Sequence, residues 1–483
     1  MLKDIKILGK ETVIYGISTI VARLLNFILL PLYTYYLTPD IYGVVATVFS
    51  IVAFLNVIYG FGLNQGYMRF YSEKKSLSLT ISFVFFSSFI LSFLMIIFAK
   101  PLSYIFQIGV YNYKLLIYSS LILYFDSLSI IPLTDLRMKH RAYKFVLIKI
   151  FSIVLNLILN IVFLKYIGLG AEGVFFAGVI SSFSQIIFLY DYFKYITLEF
   201  PKEIMKEIFS YSLPYIPSSL SSVIIQLIDR PIMMLLISPF WVGIYQANFR
   251  LSIFINLIIS MFDFAWRPFV MERINNADSK EIFKKVLDYF AFILLFIWLF
   301  FSLFLQDFIK ISVNGIYFIN PDYWSGIKIV PIVMLGYFFN GLYINFMIGA
   351  MITKKTIYIM IANIASALIS ITLNFILVPK FEIFGAAYSI LISYIFLSVY
   401  MYFVNKKLYF IDYNIKKISA LFLFTISCFL STIVVDRINP CLYQQYKFFI
   451  ILIYPLSVFA SSYFSNEEKE KILKILKFYK KSN

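Results

Sequence analysis

Residues 23–43 read Arg-Leu-Leu-Asn-Phe-Ile-Leu-Leu-Pro-Leu-Tyr-Thr-Tyr-Tyr-Leu-Thr-Pro-Asp-Ile-Tyr-Gly and place a cation inside a long apolar run. The run begins near Thr12, so Arg23 lies about 11 residues, or roughly 16 Å of helix, into it. That depth is close to the middle of an apolar layer about 30 Å thick. An arginine there costs from about 3 to more than 10 kcal/mol. A water-filled cavity that receives an anion would offset this cost, and we predict such a cavity.

The composition of the 483-residue chain predicts an all-α polytopic membrane protein. Hydrophobic residues make up 61% of the chain and charged residues only 14%. A soluble chain of this length cannot bury so much apolar surface. The formal net charge of +17 does not indicate a nucleic-acid partner, because the basic residues lie between apolar runs instead of on one soluble domain.

Fourteen apolar runs are long enough to form membrane-spanning helices. They fall at residues 12–32, 41–63, 78–99, 114–134, 144–164, 172–192, 212–237, 240–263, 284–305, 325–351, 356–378, 384–404, 417–435 and 447–464. If the N-terminus is cytoplasmic, thirty of the 42 Lys and Arg residues fall in cytoplasmic segments, eight in outer segments and four within spans. This bias predicts that both termini face the cytoplasm.

The chain also contains an internal repeat. Residues 39–43 precede the second predicted helix, and residues 239–243, with Pro and Gly at the same positions, precede the eighth. Asn160 on helix five likewise matches Asn374 on helix eleven. Because the copies lie six helices apart, they run in the same direction, which predicts two bundles with a substrate path between them. The predicted units are an N-terminal six-helix bundle at 1–199, a C-terminal six-helix bundle at 200–404, and two further helices with a basic tail at 405–483.

Charged residues within the predicted spans suggest where a ligand binds. Arg250 lies about 10 residues into helix eight, again near the midplane. Arg230 lies nearer the outer end of helix seven, next to Asp229. A guanidinium group matches phosphate because its planar fork donates hydrogen bonds in pairs. We therefore predict an electropositive lumen that binds a phosphate-bearing head group. The alternative for Asp229 and Arg230 is a structural pair whose charges neutralise each other.

The sequence gives little support to an enzyme. His140 is the only histidine and lies in a basic loop, which argues against a histidine-based catalytic or metal site. The chain has no phosphate-binding loop. Cys428 and Cys441 have no metal-binding spacing. We predict no catalytic residue, no cofactor and no metal site.

Five groups of residues, spread over most of the chain, carry a family resemblance. They are 23–27 with 29–43, 60–71, 213–221 with Asp229 and Arg230, 264–269, and 374–387. Together they resemble the polysaccharide or O-antigen flippases, which belong to the multidrug/oligosaccharidyl-lipid/polysaccharide exporter superfamily.

The resemblance implies a MATE-like V-shaped core of twelve helices with two extra C-terminal helices. It also implies alternating access for an undecaprenyl-diphosphate-linked oligosaccharide of O-antigen, capsule or another surface polysaccharide, in a bacterial inner membrane. Expected partners are this lipid, membrane lipids, and a polysaccharide polymerase with its chain-length machinery. The predicted substrate-binding residues are Arg23, Asn26, Asn64, Arg69, Arg230 and Arg250. The candidate coupling-ion carriers are Asp126, Asp229 and Asp263.

Three other functions remain open at this point. A drug/cation antiporter of the same superfamily would require buried carboxylates and an aromatic cation site. A flippase for the peptidoglycan precursor would use the same chemistry as a polysaccharide flippase. A membrane scaffold or polymerase-like enzyme is disfavoured because the longest outer segment, at about residues 306–324, is short.

Overall fold

A computed structural model describes residues 24, 27–73, 75–313, 315–461 and 463–470. Across these residues the fold is almost entirely helical, with a single two-stranded hairpin. Eleven of the described helices are long and apolar enough to cross a membrane. The predicted all-α polytopic membrane fold is therefore confirmed.

The first half of the chain, up to residue 199, supplies helices α1 to α8. They are α1 (Phe27–Tyr36), α2 (Pro39–Gly60), α3 (Leu63–Arg69), α4 (Ser76–Ile97), α5 (Ala99–Ile105), α6 (Tyr113–Met138), α7 (Ala142–Ile161) and α8 (Gly170–Phe188). Short 3₁₀ turns occupy Val110–Asn112 and Tyr190–Tyr195, and a π-helical turn occupies Val162–Ile167.

The second half begins with helices that are broken several times. The elements are α9 (Lys202–Ser212), α10 (Tyr215–Leu227), α11 (Asp229–Leu236), α12 (Pro239–Leu251), α13 (Ile253–Arg273), α14 (Ser279–Ile309), strands β1 (Ser312–Val313) and β2 (Ile316–Tyr317), a 3₁₀ helix (Pro321–Ile329), α15 (Val330–Phe346), α16 (Ile348–Ile352), α17 (Ile357–Leu408), α18 (Ile415–Ile438) and α19 (Pro440–Ala460).

The observed helices divide the chain differently from the fourteen predicted runs. The predicted runs 356–378 and 384–404 form one long element, α17, which bends where Glu382 has a φ of 49°. The predicted run 212–237 is broken after Ser212 and again at Ile228, next to the prolines at 214 and 231. Proline removes a helical hydrogen bond and crowds the preceding turn, so breaks of this kind are expected.

The repeated asparagines share burial and one hydrogen bond in the two halves. Asn160 and Asn374 are both fully buried. The Asn160 Nδ2 atom donates to the carbonyl oxygen of Asn156, and the Asn374 Nδ2 atom donates to that of Ser370, each at 2.8 Å. Each side chain thus donates to a carbonyl oxygen of its own helix, four residues back.

The two copies of the Pro–Gly motif pack against each other. A Cβ atom on Gly43 would overlap the carbonyl oxygen of Pro239, and a Cβ atom on Gly243 would overlap that of Pro39. Helices α2 and α12 therefore cross with their backbones in direct contact, which only glycine permits at these positions. According to the predicted orientation, this glycine crossing lies at the outer end of both helices.

A second contact joins the halves at the predicted cytoplasmic end, where α3 packs against α9. A Cβ atom on Gly66 would overlap the Ser212 hydroxyl group. A buried carboxylate fixes α3 to the rest of the first half. Asp135 of α6 is fully buried and accepts hydrogen bonds from the hydroxyl groups of Tyr67 at 2.6 Å and Tyr192 at 2.7 Å.

The segment between α14 and α15 bridges the two halves at the predicted outer end. The backbone N–H of Tyr317 donates to the Tyr35 hydroxyl oxygen at 2.7 Å. The Tyr323 hydroxyl group donates to the carbonyl oxygen of Leu37 at 2.8 Å. These two bonds attach the hairpin and the 3₁₀ helix of the second half to the end of α1.

The last two helices, α18 and α19, pack against each other and against α14. The hydroxyl groups of Thr425 and Tyr454 share a buried hydrogen bond of 2.7 Å between α18 and α19. The buried ammonium group of Lys447 forms an ion pair with Asp307 of α14. This pair anchors α19 on the second half.

Candidate functional site

A cavity of about 420 Å³ lies between the two halves. Its volume falls in the range of small-molecule sites, roughly 300–1,000 Å³. Phe49, which lines it, lies near the middle of α2, so the cavity lies between the glycine crossing and the contact of α3 with α9. The lining residues come from five helices of the first half and two of the second: Phe27, Leu29, Tyr33, Phe49, Ile122, Asn156, Val174, Gly178, Ser181, Ser182, Gln246, Arg250 and Ile253.

Arg250 is the charged residue in this lining. It lies in the last turn of α12, immediately before the chain breaks at Ser252 and resumes as α13 at Ile253. Ser252 provides no side-chain cap, and the first N–H groups of a helix have no partner within it. The negative end of the α12 dipole and the positive end of the α13 dipole meet at Ser252 and largely offset each other. The positive potential beside the cavity therefore comes from the guanidinium group of Arg250.

Among the described residues, the guanidinium group of Arg250 has aromatic neighbours but no ion-pair partner. Its Cζ atom lies 5.3 Å from the ring centroid of Tyr33 and 5.8 Å from that of Tyr42. Its Nη1 atom is buried without a hydrogen-bond partner. Among the residues that the structure describes, no carboxylate lies within 4.0 Å of this group. Since an unpaired buried charge is costly, this site suits an anionic ligand.

Arg230 has a different environment from Arg250. It is only 1% exposed, and its Nη1 atom donates to Asp229 Oδ1 and to the carbonyl oxygen of Gln226, each at 2.5 Å. The Tyr245 hydroxyl group donates to the second oxygen of Asp229, also at 2.5 Å. The Arg230 Cζ atom lies 4.0 Å from the ring centroid of Phe249. Asp229 and Arg230 therefore form a buried, internally neutralised pair that does not line the cavity.

Gln246 connects this pair to the cavity. Its Oε1 atom accepts a hydrogen bond from Arg230 Nε at 3.0 Å, and the residue itself lines the cavity. Because an amide has its oxygen and its NH₂ group on opposite sides, this bond leaves the NH₂ group free for a ligand. Gln246 precedes Arg250 by four residues, so both lie on the same face of α12.

The other predicted binding residues have the following positions. Arg23 and Asn26 lie outside the described residues. Asn64 and Arg69 belong to α3, where Arg69 is exposed in the last turn, and neither lines the cavity. The structure therefore brings Arg250 to the cavity and does not bring Arg230, Asn64 or Arg69 there.

The three candidate coupling carboxylates all have polar partners. Asp229 is paired with Arg230, as described above. Asp263 forms a two-pronged ion pair with Arg267 on the same face of α13, with distances of 2.7 and 2.9 Å. Asp126 accepts a hydrogen bond of 3.4 Å from Gln185 Nε2.

Sequence reasoning missed the polar residues of the first half that line the cavity. These are Tyr33, Asn156, Ser181 and Ser182. A partial signal was present, because Asn156 precedes the repeated Asn160 by four residues and so shares its helix face. The serines gave no such signal, since serine is common inside membrane helices.

The chain was compared with known proteins. The pattern of a family described as "Polysaccharide biosynthesis protein" matches residues 8–273, which is more than half of the chain. The chain belongs to this family. A comparison with curated protein sequences finds no match.

Several solved structures share this fold. An inward-closed lipid II flippase MurJ has a TM-score of 0.71 at 18% identity, covering 93% of this chain and 99% of that one. An inward-facing multidrug resistance MATE family transporter has a TM-score of 0.65 at 17% identity, covering 82% and 95%. A MOP superfamily transporter from Pyrococcus furiosus has a TM-score of 0.56 at 14% identity, covering 82% and 95%. The expected MATE-like fold is therefore confirmed, and the protein is a multi-pass membrane protein.

Proposed function

We propose that this protein is a flippase that moves a polyprenyl-diphosphate-linked oligosaccharide from the cytoplasmic to the outer leaflet by alternating access. The observation that carries this proposal is Arg250, whose guanidinium group lines a cavity between the two halves and has no ion-pair partner among the residues that the structure describes. Family membership in polysaccharide biosynthesis supports the substrate class. The sugar-diphosphate head would occupy the cavity while the polyprenyl tail remains in the lipid.

The chemistry of a diphosphate matches this cavity. Hydrogen bonds between charged groups contribute about 1.5–3 kcal/mol each, and a guanidinium fork can make two to one phosphate group. An inside-negative membrane potential favours outward movement of the anionic head, by about 2.3 kcal/mol per charge for each 100 mV.

The cavity gives less support to a cation antiporter. Such a transporter needs a carboxylate in its binding site, and the described cavity-lining residues include neither Asp nor Glu. Asp229 is the buried carboxylate closest in sequence to Arg250, and Arg230 already neutralises it. A peptidoglycan-precursor flippase would bind the same diphosphate, so the experiment has to separate the two lipids.

The test is a sidedness assay with purified protein in liposomes. The probes are fluorescent polyprenyl diphosphates that carry either a single N-acetylglucosamine or the pentapeptide-bearing disaccharide of the peptidoglycan precursor. A membrane-impermeant quencher reports how much probe reaches the outer leaflet. We expect protein-dependent movement of the first probe, and loss of this movement in Arg250→Gln.

The matched control is Arg437→Gln, which removes the same charge from an exposed position in the last turn of α18. We expect this variant to move the probe at the wild-type rate. Equal movement with and without protein would overturn the proposal. Movement of the pentapeptide-bearing probe alone would indicate a flippase for the peptidoglycan precursor instead. Extrusion of a cationic dye, with no movement of either lipid probe, would favour the antiporter.

A further inference from the structure

The wall of the cavity that α7 and α8 provide is polar but carries no formal charge. Asn156 of α7 and Ser181 and Ser182 of α8 line it. This arrangement differs from that of α12, where Arg250 contributes a positive charge to the same cavity. The cavity therefore has a cationic side and a neutral hydrogen-bonding side, which we call the amide–hydroxyl wall.

The side chains of this wall are held in place by one another. The Asn156 Nδ2 atom donates to Ser181 Oγ at 3.1 Å, and its Oδ1 atom accepts from Asn160 Nδ2 at 3.1 Å. Ser181 Oγ donates to the carbonyl oxygen of Gly178 at 2.9 Å. Asn160 is fixed in turn by the Tyr33 hydroxyl group, which donates to its Oδ1 atom at 3.0 Å.

These bonds leave both donors and acceptors for a ligand. Asn156 retains one N–H donor and one lone pair, and Ser181 retains a lone pair. Gln246, across the cavity on α12, contributes its free NH₂ group. A group that binds here must therefore donate and accept hydrogen bonds, as sugar hydroxyl and acetamido groups do. A bare phosphate only accepts them once it is ionised.

The charges behind the wall cancel each other. Gln185, which is 4% exposed, accepts a hydrogen bond from Lys149 Nζ at 2.9 Å and donates one to Asp126 Oδ1 at 3.4 Å. The amide thus links one cation to one anion, neither of which lines the cavity. Among the described residues no cation is exposed on this wall, so a carboxylate on the ligand would find only neutral donors there to offset its desolvation.

An aromatic surface completes the wall. Phe49 lines the cavity and stacks on Phe175, with ring centroids 4.7 Å apart and an angle of 23° between the rings. The stacking fixes the orientation of the Phe49 ring. The C–H face of a pyranose ring is apolar and can pack on such a surface while its hydroxyl groups reach Asn156 and Ser181.

We infer that the amide–hydroxyl wall is a subsite for an uncharged pyranose, either a neutral hexose or an N-acetylhexosamine, that is attached directly to the diphosphate. This inference rests on the proposed function, because the diphosphate on Arg250 is what brings the first sugar to the wall. The wall then determines which first sugar the protein accepts.

The experiment compares binding of three lipids by the purified full-length protein in detergent micelles. The probes are polyprenyl diphosphate, the same lipid carrying one N-acetylglucosamine, and the same lipid carrying one glucuronic acid. We expect the N-acetylglucosamine probe to bind about threefold to tenfold more tightly than the bare diphosphate, as one or two net hydrogen bonds would produce. The glucuronic acid probe should show no such gain.

Three variants test which residues produce the gain in affinity. Asn156→Ala and Ser181→Ala should each bring the affinity ratio of the N-acetylglucosamine probe to the bare lipid towards one. Ser184→Ala is the matched control, because this buried serine lies on the same helix, donates to the Ser181 carbonyl oxygen at 2.6 Å and does not line the cavity. It should keep the wild-type ratio. If Asn156→Ala does not fold, as judged by its thermal unfolding, Ser181→Ala alone decides the outcome.

Failure of the inference is distinct from failure of the proposed function. If the bare diphosphate binds and Arg250→Gln abolishes its binding, but the affinity ratio is unchanged in Asn156→Ala and Ser181→Ala, the wall is not a sugar subsite. An equal gain for the glucuronic acid probe would overturn the preference for an uncharged sugar. If the bare diphosphate does not bind, or binds equally well to Arg250→Gln, the proposed function itself fails.

Discussion

The glycine crossing of α2 and α12 yields a prediction about the conformational equilibrium. In Gly43→Ala, the new Cβ atom would overlap the Pro239 carbonyl oxygen and lie 3.0 Å from the backbone nitrogen of Gly243. Both neighbours are backbone atoms of a helix, so they cannot rotate away as a flexible side chain would. The two helices must separate at the predicted outer end.

The size of the expected shift between closed and open molecules follows from the cost of overpacking, about 1–3 kcal/mol for an extra methyl group in a tightly packed contact. This cost applies only to the state in which the crossing is closed. The ratio of open to closed molecules at the outer end should therefore rise by about fivefold to 150-fold, since about 1.4 kcal/mol corresponds to a factor of ten.

The assay measures the accessibility of the cavity from outside. The free cysteines Cys428 and Cys441 are first replaced by serine, and Gln246→Cys is introduced as a reporter in the cavity lining. The rate of labelling by a membrane-impermeant maleimide should rise by the factor given above in Gly43→Ala.

The matched control for this assay is Gly60→Ala on the same helix. There the nearest atom to a new Cβ atom is the flexible Cδ1 of Ile130, at 3.4 Å. This variant should label at the rate of the parent protein. If Gly43→Ala is folded and also labels at that rate, the crossing does not close the cavity and the reasoning is refuted.

Three further predictions concern the buried charges. Arg250→Lys should weaken binding of polyprenyl diphosphate by about tenfold, because an ammonium group cannot make the two-pronged bond of a guanidinium group. A binding titration of this variant and of the wild type measures the change. Equal affinity would contradict the prediction. Asp229→Asn should lower the free energy of unfolding by about 3–5 kcal/mol, because it leaves the Arg230 charge buried and unpaired. The double variant Asp229→Leu/Arg230→Met should recover most of this loss, as measured by thermal unfolding. Asp135→Asn should cost about 1–3 kcal/mol in the same measurement, because its amide presents a single acceptor to two tyrosine hydroxyl groups, and an unchanged unfolding temperature would contradict this.

The sequence was informative wherever a single residue conflicted with its surroundings. Arg250 could be singled out as a candidate binding residue because a cation within an apolar run requires an explanation. The structure places it in the lining of the cavity. The repeat was also readable, because proline and glycine recur with the same spacing at 39–43 and 239–243. Reading the sequence could not show that these copies touch, because contact depends on how the two halves of the chain pack together.

Other features depend on helix rotation, which the sequence leaves open. Arg230 and Arg250 both belong to predicted membrane spans, yet one is neutralised by its neighbour Asp229 and the other lines the cavity. Asp229 also accepts a hydrogen bond from Tyr245 of α12, whereas no described carboxylate lies within 4.0 Å of Arg250. Serines such as Ser181 were unpredictable as lining residues, because a serine in a membrane helix usually bonds to its own backbone whichever way it faces.

The bonds of Tyr317 to Tyr35 and of Tyr323 to Leu37 act as a latch between the halves. Two net hydrogen bonds are worth about 1–3 kcal/mol together, a value comparable to the free-energy differences that keep minor conformers at about 0.1–10%. In the proposed alternating access, bonds of this strength would hold the outer end closed without trapping it. The loop between α14 and α15 would then contribute to how often the cavity opens outward, so changes of sequence in a short surface segment would tune the turnover rate while the cavity stays intact.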